Sequence, residues 1–96
     1  MMIIVSYDVN TTDPAGRKRL RKISKICLDY GQRIQNSVFA CKVDATKFEI
    51  LKHRLLSEYR EDCDSLYFFN LGSRYSNKMS NYGCKFMVNL DEPVIF

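Results

Sequence analysis

Apolar positions fall in runs whose spacing changes along the chain, and each change marks an element. The first run, MIIVSYD at residues 2–8, holds Met2, Ile3, Ile4, Val5 and Tyr7, is broken only by Ser6, and ends on Asp8. Such continuity predicts a strand covered on at least one face, where a charged carboxylate is costly unless something satisfies it. Asn10, Thr11, Thr12 and Asp13 make a polar loop, and Asp13-Pro14 reads as an N-cap followed by proline at the first helical position. Leu20, Ile23, Ile26, Cys27 and Tyr30 then recur at helical spacing, which predicts a helix that Gly31 stops.

QRIQNSVFACKV, residues 32–43, is β-prone, but its alternation changes phase. Ile34 and Val38 point one way while Phe39, Cys41 and Val43 point the other, so either two short strands meet near Asn36-Ser37 or one strand bends at a bulge. Asp44 caps a second helix with Phe48, Leu51, Leu55 and Tyr59 on one face. After an acidic turn (Glu61, Asp62, Asp64), SLYFFNL at 65–71 is apolar on both phases, as a central strand would be. Residues 72–83 read as a mobile polar loop, residues 85–90 as a last strand, and DEPVIF as an apolar tail that docks on its own domain or a partner chain. The order β-α-β-β-α-β plus an extra strand fits an α+β sandwich, with an antiparallel sheet and both helices on one face.

Length and composition bound this picture. A chain of 96 residues is one domain, 1–96, with a small core, and 46% hydrophobic content is enough that a second copy of the chain could cover part of it. The net charge of +4 is mild, but RKRLRKISK at 17–25 places six cations in nine positions with no acid, which favours a polyanionic partner over a merely solvated face. Cys27, Cys41, Cys63 and Cys84 show no close pair, so the spacing gives no support for structural zinc, and reduced thiols packed as small hydrophobes are expected. No basic leader and no membrane-length apolar run occurs; the expectation is a cytoplasmic protein with no membrane partner.

Asp8 has three readings: a divalent-metal ligand, a cap for the loop that follows, or the partner of a nearby arginine. Magnesium takes one or two carboxylates and keeps several waters, so one Asp8 per chain is a thin supply, which a two-fold symmetric dimer would double. Covalent catalysis has little support, since the single histidine, His53, lies within the second helix and no base pairs with a cysteine or serine at recognisable spacing. The glycines, at 16, 31, 72 and 83, are too scattered for a phosphate loop. An RNA-recognition module shares the element order, but the consecutive Tyr67, Phe68 and Phe69 suit a core better than a stacking platform.

Three stretches, IVSYDVN, RKRLRKISK and GQRIQNSVFACKVD, together resemble the small CRISPR-associated protein family that stands second in the Cas series. The ending DEPVIF resembles the variety found in subtype C of type I systems. The resemblance implies a ferredoxin-like βαββαβ fold, with the last strand and tail completing the sheet of a neighbour in a symmetric homodimer. It implies metal-dependent endonuclease activity with Mg2+ or Mn2+, on double-stranded DNA or single-stranded RNA, and a place beside the CRISPR integrase in spacer acquisition. Carried over by position, Asp8 is the catalytic and metal-binding acid, and Tyr7, Arg17, Arg19, Arg33 and Phe39 are the nucleic-acid-binding set. The alternatives are a non-catalytic DNA-binding scaffold between integrase dimers and a toxin-type endoribonuclease.

Overall fold

Short-range signals set the helix ends. Asp13 is extended and its side chain accepts from the Gly16 amide, with Pro14 next in line, and Asp44 likewise accepts from the Lys47 amide. The computed structural model describes residues 1–83. Within them lie β1 (Met2–Asp8), α1 (Pro14–Tyr30), β2 (Gln32–Gln35), β3 (Val38–Lys42), α2 (Ala45–Leu56) and β4 (Ser65–Asn70). The expected last strand and tail lie outside the described residues.

The strands form one antiparallel sheet in the order β2-β3-β1-β4. The phase change at Asn36-Ser37 is a turn between two strands, and a register shift between Arg33 and Gln35 adds an irregularity to β2. Ile3, Val5 and Tyr7 of β1 enter one core with Phe39, Cys41 and Val43, with Ile23, Ile26 and Cys27 of α1, and with Leu51 and Leu55 of α2. Both helices therefore cover the same sheet face, and the fold is the ferredoxin-like α+β sandwich. On the opposite face Met2, Ala40 and Tyr75 form a small second cluster, with Ile4, Ile34, Leu71 and Met79 packed against it.

Three expectations change. Among the described residues Ser65–Asn70 is an edge strand, and its two apolar phases have different fates. Leu66 and Phe68 pack on the helix-side core, whereas Tyr67 (65% exposed) and Phe69 (49%) stand edge-to-face on the open side. The segment after β4 has no regular structure, yet it folds back far enough to bury Tyr75, and the Met2 amide donates to Gly72. Gly31 does end α1, but with φ −164° it is extended, not left-handed. Glycine is required there because a Cβ would collide with the Ala40 carbonyl and Cys41 Sγ.

Gly31→Ala is accordingly expected to lower unfolding free energy by about 1–3 kcal/mol, the usual cost of overpacking, with an unchanged denaturant slope. Urea titrations of the two proteins check this.

Candidate functional site

Antiparallel pairing brings four chain segments to one end of the sheet: the end of β1, the start of β4, the β2–β3 turn and the loop into α1. Asp8 is paired in register with Ser65, and the Tyr7 amide donates to Ser37 in the turn. Strand alternation sends Tyr7 into the helix-side core and Asp8 to the open face. Asp8 is exposed, and its carboxylate has no hydrogen bond or ion pair among the described residues. Among the described residues it therefore neither caps the loop nor pairs with an arginine.

The costly buried carboxylate is Asp64 instead, which sequence reasoning placed among turn residues. Its side chain is 0% exposed. One oxygen accepts from the Asn10 amide (3.0 Å) and Arg19 Nη2 (3.2 Å); the other accepts from Arg19 Nε (2.8 Å) and the Arg60 amide (3.0 Å). Burial raises the carboxyl, but the Arg19 hydrogen bond and the Arg60 and Asn10 amides more than reverse that, holding it well below the usual carboxylate range. The chain separation of 45 residues between Arg19 and Asp64 left no local signal to find the pair by.

The other predicted residues divide by burial. Tyr7 and Phe39 are core side chains, 4% and 0% exposed, so neither reaches a nucleic acid without unfolding; this corrects their placement in a binding set. Their rings stack at 6.1 Å, Tyr7 Oη hydrogen-bonds Ser24 Oγ at 2.8 Å, and burial raises the Tyr7 phenol. Arg33 lies over the Phe39 ring at 5.0 Å and donates to the Asn36 carbonyl, so it braces the β2–β3 turn from an exposed position. Arg19 is the clamp on Asp64, with its side chain only 12% exposed. Arg17 is exposed and donates to the Thr11 carbonyl at 3.3 Å.

Arg17, Lys18, Arg21, Lys22 and Lys25 are all exposed, at helical offsets that share one side of α1. They form a basic ridge about 12 Å long by helical rise. Within it Lys22 meets an acid, Glu58, at a marginal 4.0 Å. The three described cysteines offer no activated nucleophile: burial pushes the Cys27 thiol up to about 12 and that of Cys41 up to about 11, and desolvation with nearby Asp64 and Asp62 raises Cys63. Among the described residues no three His, Cys, Asp or Glu side chains gather as metal ligands. Asp8 has the hard oxygen donors that suit Mg2+ or Mn2+, but one chain supplies too few of them. No described helix is long and apolar enough to cross a membrane.

A ferredoxin-like sandwich with an exposed carboxylate at a strand end and a basic ridge on its first helix defines the class of this protein. The family model described as CRISPR associated protein Cas2 matches residues 1–79, and the chain belongs to that family. It is 47% identical over 95 residues to the CRISPR-associated endoribonuclease Cas2 of Nitratidesulfovibrio vulgaris, spanning 99% of this chain and 93% of that one. It is 46% identical over 96 residues to the CRISPR-associated endonuclease Cas2 of Halalkalibacterium halodurans, spanning both chains in full. The crystal structure of Streptococcus pyogenes Cas2 at pH 6.5 superposes with a TM-score of 0.76 at 51% identity, covering 86% of this chain and all of that one.

Because the folded Asp64 carboxyl titrates below its unfolded value, its contribution to stability is full above about pH 5 and is lost progressively as pH falls further. Asp64→Asn is expected to cost about 3–5 kcal/mol at pH 7 and to flatten the loss of stability below about pH 5. Urea titrations at pH 7 and at acid pH measure both.

Proposed function

We propose that this chain is a divalent-metal-dependent endonuclease and a duplex-DNA-binding component of CRISPR spacer acquisition, of the variety found in subtype C of type I systems. It works in the cytoplasm as a symmetric homodimer beside the CRISPR integrase. The observation that carries the reading is Asp8, an exposed carboxylate without a partner among the described residues, at the end of the central strand. Relatives named endonuclease and endoribonuclease, at 46% and 47% identity, support phosphodiester hydrolysis as the reaction.

The open sheet face supports a dimer. Beside the Met2, Ala40 and Tyr75 cluster it carries partly exposed Ile4 and Val38 and exposed Tyr67 and Phe69, an apolar surface suited to a second copy. Two-fold symmetry then supplies a second Asp8 and completes a site that one chain leaves short of donors. A divalent cation held there supplies a water of lowered pKa and neutralises charge on the scissile phosphate. The chain's own part is to fix Asp8 at the end of a rigid strand, while the ridge from Arg17 to Lys25 neutralises backbone phosphates without reading sequence.

A second reading, a scaffold that grips DNA without cutting it, draws on the small donor set around Asp8. The two are separated with size-verified dimer, duplex DNA and single-stranded RNA, each with and without Mg2+ or Mn2+. Asp8→Asn is expected to reduce metal-stimulated cleavage by at least about 100-fold while leaving DNA affinity within about twofold. Cleavage at the wild-type rate by purified Asp8→Asn removes the catalytic role, and a monomer by light scattering removes the shared site. Arg17→Ala and Lys18→Ala are each expected to weaken binding and to reduce the slope of log affinity against log salt by about one.

A further inference from the structure

Asp8 itself has no side-chain partner among the described residues, so its position depends on the backbone on either side of it. Upstream, β1 is held by ladders to β3 and β4. Downstream, the chain leaves the sheet through Val9, half-buried against the helix-side core, and then through four exposed polar residues, 10–13; this exit is where a strand-end carboxylate loses its geometry if the loop is loose. Asn10, two residues past Asp8, is fixed from several directions. Its amide donates to Asp64 Oδ1, its side chain accepts from the Thr12 amide and hydroxyl, and Arg19 Nη2 reaches its carbonyl at 3.5 Å. The same carbonyl lies so close to Gly16 that a Cβ there would collide with it.

Asp64 is the anchor of this arrangement. It directly precedes Ser65, the register partner of Asp8, and so approaches the exit loop from the neighbouring strand. With two donors on each oxygen and no solvent access, its carboxylate is saturated and has no capacity left for a cation or a proton from substrate. Arg19, through the same pair, ties the first turns of α1, and with them Arg17, to that anchor.

We infer that Asp64, clamped by Arg19, is a positioning residue for the Asp8 site: it locks the loop of residues 9–13, so that Asp8 at the strand end and Arg17 on α1 keep a fixed spacing. The inference rests on the reading of Asp8 as the catalytic acid, and it gives Arg19 an effect on nucleic-acid processing without contact with nucleic acid.

The test compares wild type, Asp64→Asn, Arg19→Lys, Asp8→Asn and, as a destabilised control, the core variant Ile23→Val, all below their melting temperatures. Arg19→Lys keeps the charge and removes the two-pronged fork, so it serves if Asp64→Asn does not fold. Two quantities are read: amide hydrogen exchange at Asn10 and at Tyr7, and kcat and KM for metal-stimulated cleavage. The expected result for Asp64→Asn or Arg19→Lys is exchange at Asn10 faster by at least about 100-fold with Tyr7 unchanged, and kcat down by at least about tenfold with KM within about twofold. Ile23→Val retains wild-type kcat. Retained protection at Asn10, loss of protection at Asn10 and Tyr7 together, or wild-type kcat with a loosened Asn10 each overturn the inference. Wild-type cleavage by Asp8→Asn overturns the catalytic reading instead, and the exchange data then decide on their own whether Asp64 locks the loop.

Discussion

A carboxylate without access to water needs every one of its acceptor sites filled, and Asp64 meets that demand by drawing three separate pieces of chain to one point. The loop after β1 supplies an amide, α1 supplies the Arg19 fork, and the turn after α2 supplies the Arg60 amide. A buried pair of this kind adds little net stability over a well-packed apolar substitute, yet losing one partner costs about 3–5 kcal/mol because the survivor keeps its desolvation penalty. Against a typical total of about 5–15 kcal/mol for a domain, that asymmetry is decisive. The pair therefore acts as a constraint on geometry: the elements it joins can separate only by exposing an unpaired charge to the protein interior.

The central strand carries the same constraint to the surface. In β1 the side-chain period of two gives Ile3, Val5 and Tyr7 to the helices and leaves Ile4, Ser6 and Asp8 to the open face. A slip of one residue would bury Asp8 and expose Tyr7, so the buried phase fixes the exposed one. The Tyr7 hydroxyl with Ser24, and its ring with Phe39, hold that phase at the strand's last turn. Two aromatic residues that a binding role would need at the surface instead keep the strand in register behind the acid that is at the surface.

Much of this was legible where the signal is local. Asp13-Pro14 and Asp44 act on amides three residues away, and both helices start there; the apolar stripe of α1 and the phase change at Asn36-Ser37 are likewise readable within a few positions. What failed to show was non-local. The Arg19–Asp64 pair spans 45 residues. Tyr67 and Phe69 look like core side chains until the pairing of β4 with β1 alone places them on the face the helices do not cover. Gly31 marks the helix stop correctly, but the reason is a close approach by β3, which the helix-end pattern does not reveal.

Environment assigns the two acids at this end of the molecule to different work. Asp64 is saturated, its charge compensated by Arg19, and the low dielectric around it makes the partnership rigid. Asp8 has the opposite circumstances: exposed, open to solvent and lacking a protein cation among the described residues. Of the two, Asp8 alone has lone pairs free to bind an incoming cation, and it can meet one with little prior bond-breaking. The cations divide in the same way. Arg19 is spent inside, Arg33 is spent on its own turn, and Arg17, Lys18, Arg21, Lys22 and Lys25 stand on the exposed side of α1. The charge that builds the fold and the charges left at the surface are thus separated by burial, even though Arg19 sits among the others within a single nine-residue stretch of sequence.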